Sequence, residues 1–180
     1  MALVVLLRGV NVGGHRAFRP AALAKELAHL GAVNIGAAGT FVFRRPVAQA
    51  QLRAELARRL PFRTEIMICQ GREIVRLMAT DSVTPSPASA IVRFVSVLSR
   101  VPQLTPALPL VLPPRGKWML KVLERDGRFV IGQYRRDMKA IGYLGTLDRI
   151  FGVPATTRSW NTMAAIVKVL ATMMPVARGG

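Results

Sequence analysis

Ala2-Leu3-Val4-Val5-Leu6-Leu7-Arg8-Gly9-Val10-Asn11-Val12-Gly13-Gly14 opens with six apolar residues in a row and then places three glycines within six positions. An uninterrupted apolar run of this length reads as a strand buried on both faces. The glycines that follow force a turn. Outward from this strand, Pro20 suits a first helical turn, and Leu23, Leu27 and Leu30 recur at helical spacing up to Gly31. Val33 to Ala37 and Thr40 to Arg44 read as two short strands around Ala38-Gly39. Leu52, Leu56 and Leu60 mark a second helix, and Thr64 to Cys69 a fourth strand. The order is βαββαβ, a ferredoxin-like unit. A short helix from Arg72 to Ala79 closes it.

Val83 to Ser89 carries two prolines and three hydroxyl residues and reads as a linker. The fold class is therefore α+β, with a ferredoxin-like unit over residues 1–82 and a smaller α+β unit over 83–180. The second unit begins with a strand from Ile91 to Leu98. A proline-rich, irregular crossing follows from Pro102 to Pro114. Trp118 to Glu124 and Arg128 to Tyr134 flank Asp126-Gly127 as a two-residue hairpin. Leu144, Leu147, Ile150 and Phe151 predict one helix. Met163, Ile166, Val167, Leu170 and Met174 predict the last. Thr157-Arg158-Ser159-Trp160-Asn161-Thr162 reads as a polar turn, centred on an aromatic ring, that opens this last helix.

The 180 residues are 51% apolar, enough for packed cores, with 26 Lys and Arg against 9 Asp and Glu and a net charge of +17. A surface of that sign favours polyanions: nucleic acid, anionic headgroups or phosphorylated ligands. Arg outnumbers Lys 21 to 5. A coding bias would explain that ratio without a partner, but it accounts less well for the scarcity of acids. Cys69 is the single cysteine, which excludes an intrachain disulfide and suits a buried strand thiol in a reducing compartment. No stretch reads as a leader or a membrane span, so the expected location is cytoplasmic, without membrane association. The composition leaves oligomeric state open.

The two end motifs, with their order and spacing, resemble bacterial proteins carrying the domain of unknown function 1697. The residues that carry the resemblance are Leu6 to Gly14, Gly39 with Val42 and Phe43, and Thr156 to Thr162. Ala38 and Thr40 stand where that family shows Ser and Asn, and Ser159 stands where it shows Asn. The resemblance implies two small α+β units and assigns no reaction.

Three groups of residues are candidates for function. In the glycine loop, backbone N–H groups could cradle an anion, with Arg8, Asn11, Gly13 and Gly14 as its ligands. Such a loop is also an ordinary tight turn, in which Asn11 bonds its own backbone. In the second motif Arg158 could clamp a phosphate, Trp160 stack on a ring and Asn161 read an amide edge. Equally, Trp160 could fill a core while Ser159 or Asn161 caps a helix. The third group surrounds the hairpin. Lys117, Lys121, Arg125, Arg128, Arg135 and Arg136, with Arg115 and Lys139 nearby, interleave with Trp118, Phe129 and Tyr134 as a nucleic-acid-like patch. His15 and His29 stand alone without clustered carboxylates, so neither a metal site nor a cofactor is expected. The leading expectation is non-enzymatic binding of nucleic acid or another polyanion. The alternative is a small-molecule site, for a phosphorylated metabolite or with enzymatic activity, between the glycine loop and the Trp160 turn.

Overall fold

The computed structural model describes residues 1–11, 17–80 and 90–173. Gly13, Gly14, His15, the linker 83–89 and Met174 lie outside the described residues. By its contacts the chain divides into one unit of Met1–Ser82 with Asn161–Gly180, and a second of Val83–Trp160. The C-terminal helix, apart from its first residue, thus groups with the N-terminal unit; the sequence reading had placed it with the second.

The first unit runs β1 (Leu3–Leu7), α1 (Pro20–Glu26), β2 (Ala32–Ile35), β3 (Thr40–Phe43), α2 (Gln49–Arg59), β4 (Ile66–Gln70) and α3 (Gly71–Ala79). Its sheet has the order β2-β3-β1-β4 with every pair antiparallel. That is the order two interleaved split βαβ units produce, so the ferredoxin-like expectation holds. All five residues of β1 are buried. Leu3, Val5 and Leu7 pack with Phe41, Phe43, Ile66 and Ile68 against Leu23, Leu27, Leu52 and Leu56 of the helices. Val4 and Leu6 on the opposite face are buried as well. Pro20 sits in the first turn of α1. Gln70 and Glu73 form a capping box at the start of α3, with the Gln70 backbone N–H donating to the Glu73 carboxylate at 2.7 Å.

The second unit runs β5 (Ile91–Leu98), β6 (Leu110–Leu112), β7 (Leu120–Asp126), β8 (Phe129–Arg135), α4 (Met138–Leu144), α5 (Leu147–Phe151) and β9 (Ala155–Ser159), which leads directly into α6 (Trp160–Ala171). Its five strands are antiparallel in the order β6-β7-β8-β5-β9. Phe94, Leu98, Leu120, Val122 and Val130 of this sheet pack with Leu147, Phe151 and Val153.

Four local expectations are corrected. The single helix around Leu144 to Phe151 is two, because Gly145 and Thr146 interrupt it; α4 starts on an Asp137 cap that accepts the Lys139 N–H at 2.9 Å. The proline-rich crossing contains β6, a short strand at the sheet edge, where prolines are tolerated. Residues 157–159 are strand rather than turn, paired along β5 from Phe94↔Ser159 to Leu98↔Ala155. In the hairpin, Asp126 pairs with Phe129, so the two loop residues are Gly127 and Arg128, one position later than expected. Gly127 has φ 58°, the positive value a II′ turn needs at its first central residue.

Gly132 of β8 is packed tightly between β7 and β5. A Cβ there would strike the Lys121 carbonyl oxygen and lie 2.6 Å from Phe94 Cζ. The carbonyl is held in the ladder and cannot rotate away. Gly132→Ala is expected to destabilise the protein at or above the upper end of the roughly 1–3 kcal/mol typical of overpacking. Gly36→Ala, with nothing within 4 Å, is expected to cost only the strain of its positive φ. Urea unfolding of the two variants checks the difference.

Candidate functional site

β1 ends in the segment that places the first candidate group. Gly9 has φ 63° and Asn11 φ 54°, a left-handed conformation that Asn tolerates better than most residues. The Asn11 side chain uses both ends of its amide. Its Nδ2 donates to the Ala37 carbonyl at 2.8 Å, and its Oδ1 accepts the Phe18 N–H at 3.0 Å. Asn11 thereby ties the two ends of the glycine loop to the β2–β3 connection. The half-buried Arg8 donates its backbone N–H to Glu65 and accepts from the Thr64 hydroxyl. The amide that could read a ligand is thus an internal staple.

The second group is also turned inward. Arg158, on β9, is 7% exposed, and Trp160, the first residue of α6, is 4% exposed. The Arg158 guanidinium donates to the Thr156 hydroxyl at 2.8 Å and to the Thr157 carbonyl at 2.9 Å, and burial pulls its pKa down to about 10. The Arg93 guanidinium lies 3.9 Å from the centroid of the Trp160 ring. Asn161, in the first turn of α6, is exposed. Arg158 and Trp160, expected as a phosphate clamp and a stacking platform, are enclosed and already engaged.

The hairpin cations separate into distinct places. Lys121 and Arg135 share one sheet face, on either side of Trp118: Lys121 Nζ is 4.3 Å and the Arg135 guanidinium 4.2 Å from the ring centroid. Arg135 Nε also donates to the Trp118 carbonyl at 2.8 Å. Lys117 precedes them in the exposed turn. The β7–β8 register then shifts between Val122 and Glu124, so that two residues of β7 face one of β8. This bulge reverses the alternation. Arg125 consequently pairs with Val130 on the opposite face from Lys121, donating to the Thr105 hydroxyl at 2.9 Å and to the Gly127 carbonyl. Arg128 sits in the turn, 6.0 Å from the Phe129 ring, and Arg136 follows the end of β8. Strand register therefore separates Arg125 from Lys121 and Arg135.

What the structure does assemble is a row across three strands. Lys121 is the cross-strand neighbour of Gln133, and Gln133 of Arg93. Residues paired in this way point to one face. The row thus carries Arg93 beside Trp160 at one end and Lys121 with Arg135 around Trp118 at the other. All members but Trp160 are half-buried. Arg93 and Gln133 escaped the sequence reading, though the alternation of Arg93 against Val92 and Phe94 was a usable signal. Glu124 and Asp126 lie past the bulge toward the hairpin tip. Among the described residues no group of three His, Cys, Asp or Glu side chains could hold a metal, and Cys69 is a buried thiol. No helix of the described residues is long and apolar enough to cross a membrane.

The staple role of Asn11 has a direct consequence for stability. Asn11→Ala removes two hydrogen bonds and puts in the left-handed region a residue that tolerates it less well than Asn, an expected loss of about 2–3 kcal/mol. Asn11→Gly loses the bonds but relaxes the backbone and is expected to recover about 1 kcal/mol of that. Paired thermal denaturation of the two variants measures both parts.

In fold, the chain is similar to the conserved bacterial protein SP0830 from Streptococcus pneumoniae, with a TM-score of 0.59 over 94% of this chain and 98% of that one, at 16% sequence identity. No curated protein matches it. The family described as protein of unknown function (DUF1697) matches residues 1–107, and with β1, the start of the glycine loop, Gly39 and β3 all inside that stretch, the chain belongs to this family.

Proposed function

We propose that the protein is a non-enzymatic binder of nucleic acid or another polyanion, and that its contact surface is the Lys121–Trp118–Arg135 end of the row on the second sheet. The observation that carries this reading is the pair of cations held within 4.3 Å of one indole ring, in a chain of net charge +17. A lysine and an arginine free in solvent lose side-chain freedom when they grip a phosphate. Here the ring and the Trp118 carbonyl have already fixed them. Trp118 on this reading is a scaffold for two phosphate-binding cations rather than a platform for a base. The two cations of this end are engaged with one ring and are placed for phosphates, so binding is expected to follow backbone charge and not sequence.

Oligonucleotides of unrelated sequence are expected to bind with similar micromolar or weaker affinity, which falls steeply as salt rises, because each neutralised phosphate releases counterion. Absence of binding to single-stranded and duplex oligonucleotides at low salt would overturn the proposal. The combined change Lys121→Gln and Arg135→Gln is expected to flatten the logarithmic salt slope on duplex DNA by about 2, at roughly 0.9 per phosphate contact. The control is Lys25→Gln with Arg63→Gln, two exposed cations of the first unit. An equal loss in both pairs would reduce the effect to net charge.

The scaffold role separates from stacking by a second comparison. Trp118→Leu keeps an apolar side chain but removes the ring that fixes both cations. Affinity for inorganic polyphosphate, which has no bases, is expected to fall about as much as affinity for single-stranded DNA. A loss confined to DNA would assign Trp118 to base stacking, whose usual worth is about 1–3 kcal/mol per base.

A further inference from the structure

A cleft of about 630 Å³ lies wholly within the first unit, bordered by α3 and α6. Its floor is apolar: Val75 from α3 and Val167, Leu170 and Met173 from α6 and the turn after it. Gly71 shapes this floor. A Cβ on Gly71 would lie 2.9 Å from Leu170 Cδ2, so the missing side chain is what lets Leu170 settle over the start of α3. The lip is cationic, with Arg44, Arg72 and Arg76. Arg72 and Arg76 are four residues apart and therefore neighbours on one side of α3. Both also line an adjoining polar hollow of about 520 Å³ with Gln70 and Glu73. The Glu73 carboxylate there is engaged by the Gln70 N–H of the capping box. Val75 is 42% exposed, an aliphatic side chain left open to solvent.

A cleft lined by aliphatic side chains and three arginines is complementary to a ligand with an apolar chain and an anionic head. We propose that the cleft binds a single-chain anionic amphiphile, with its alkyl chain on Val75, Val167 and Leu170 and its carboxylate or phosphate head held by Arg72 and Arg76, with Arg44 supplying further positive charge. The volume falls in the range of small-molecule sites, about 300–1,000 Å³. Guanidinium forks match a carboxylate or phosphate through two parallel N–H···O bonds. A flat anionic membrane would meet the arginines and leave the floor unfilled, so the ligand is a free amphiphile and not a bilayer. This inference is independent of the polyanion surface on the second sheet.

Methyl NMR titration of the full chain tests it, with decanoate, decyl phosphate, decanol and decyltrimethylammonium as probes and phosphatidylglycerol vesicles as a separate arm. The two anions are expected to bind at least tenfold more tightly than decyltrimethylammonium. Their shifts should be confined to the methyls of Val75, Val167, Leu170 and Met173. Arg72→Gln with Arg76→Gln is expected to weaken decanoate about tenfold, the scale of a charged hydrogen bond, while leaving decanol unchanged. Val75→Trp, at a position open enough to keep the fold, is expected to block all binding. Equal binding of the cationic probe, unimpaired binding to Val75→Trp, or association with vesicles without uptake of free decanoate would each overturn the proposal. So would shielding of the same methyls by a second copy of the chain, seen as a shift that depends on protein concentration alone.

Discussion

β1 is buried on both faces, and the first unit is arranged to satisfy it. Leu3, Val5 and Leu7 face the helices α1 and α2, while Val4 and Leu6 on the other side are equally withdrawn from water. A strand with no solvated face must be central, and β1 is flanked by β3 and β4 along its length. The chain leaves it through a left-handed turn, because helix α1 has to return over the sheet. Gly39 is the other half of this constraint. Its carbonyl accepts the Leu7 N–H at 2.8 Å, and its Cα comes so close that a Cβ would be 2.8 Å from Val10 and 2.9 Å from Leu7, at a φ of 79°. Only glycine meets both demands. Gly39 is among the residues that carry the family resemblance, and this contact gives it a physical reason.

The first unit was legible because its signals are local. Leucines at helical spacing, Pro20 at a first turn and Gly31 in a left-handed cap each state an element's type or end without reference to anything distant. The second unit hid what tertiary contacts decide. Thr157-Arg158-Ser159 is polar and reads as a turn, yet it belongs to strand β9, because its polar groups find partners inside. The Thr157 and Ser96 hydroxyls bond each other across the β5–β9 pair, and Arg158 bonds Thr156 and Thr157. A polar segment can be buried when every donor is matched, and matching is invisible in one strand's sequence. The change from an expected turn to an observed strand over residues 157–159 followed from that.

The candidate site was legible in composition and not in placement. Counting cations around the hairpin identified Lys121, Arg125 and Arg135 together. One extra residue in β7 then moved Arg125 to the opposite face, and nothing in Val122-Leu123-Glu124 announces a bulge. The same lesson applies to Trp160. An aromatic ring in a polar motif is equally suited to ligand and to core, and here the Arg93 guanidinium occupies it. Arg93 itself belongs to a row whose members are 93, 121 and 133, brought together only by strand register.

Positive charge does different work in the two units. Around Trp118 the cations rest on a half-buried ring, and on the proposed reading what they attract is charge alone. Salt screens such an attraction, since the Debye length shrinks to about 8 Å at physiological ionic strength. In the α3–α6 cleft the arginines border an apolar floor, and a ligand that fills it gains from leaving water as well as from charge. That second contribution does not weaken with salt. On these two proposals net charge says little about selectivity; the surface beside each cation decides it, an indole ring in one unit and aliphatic side chains in the other.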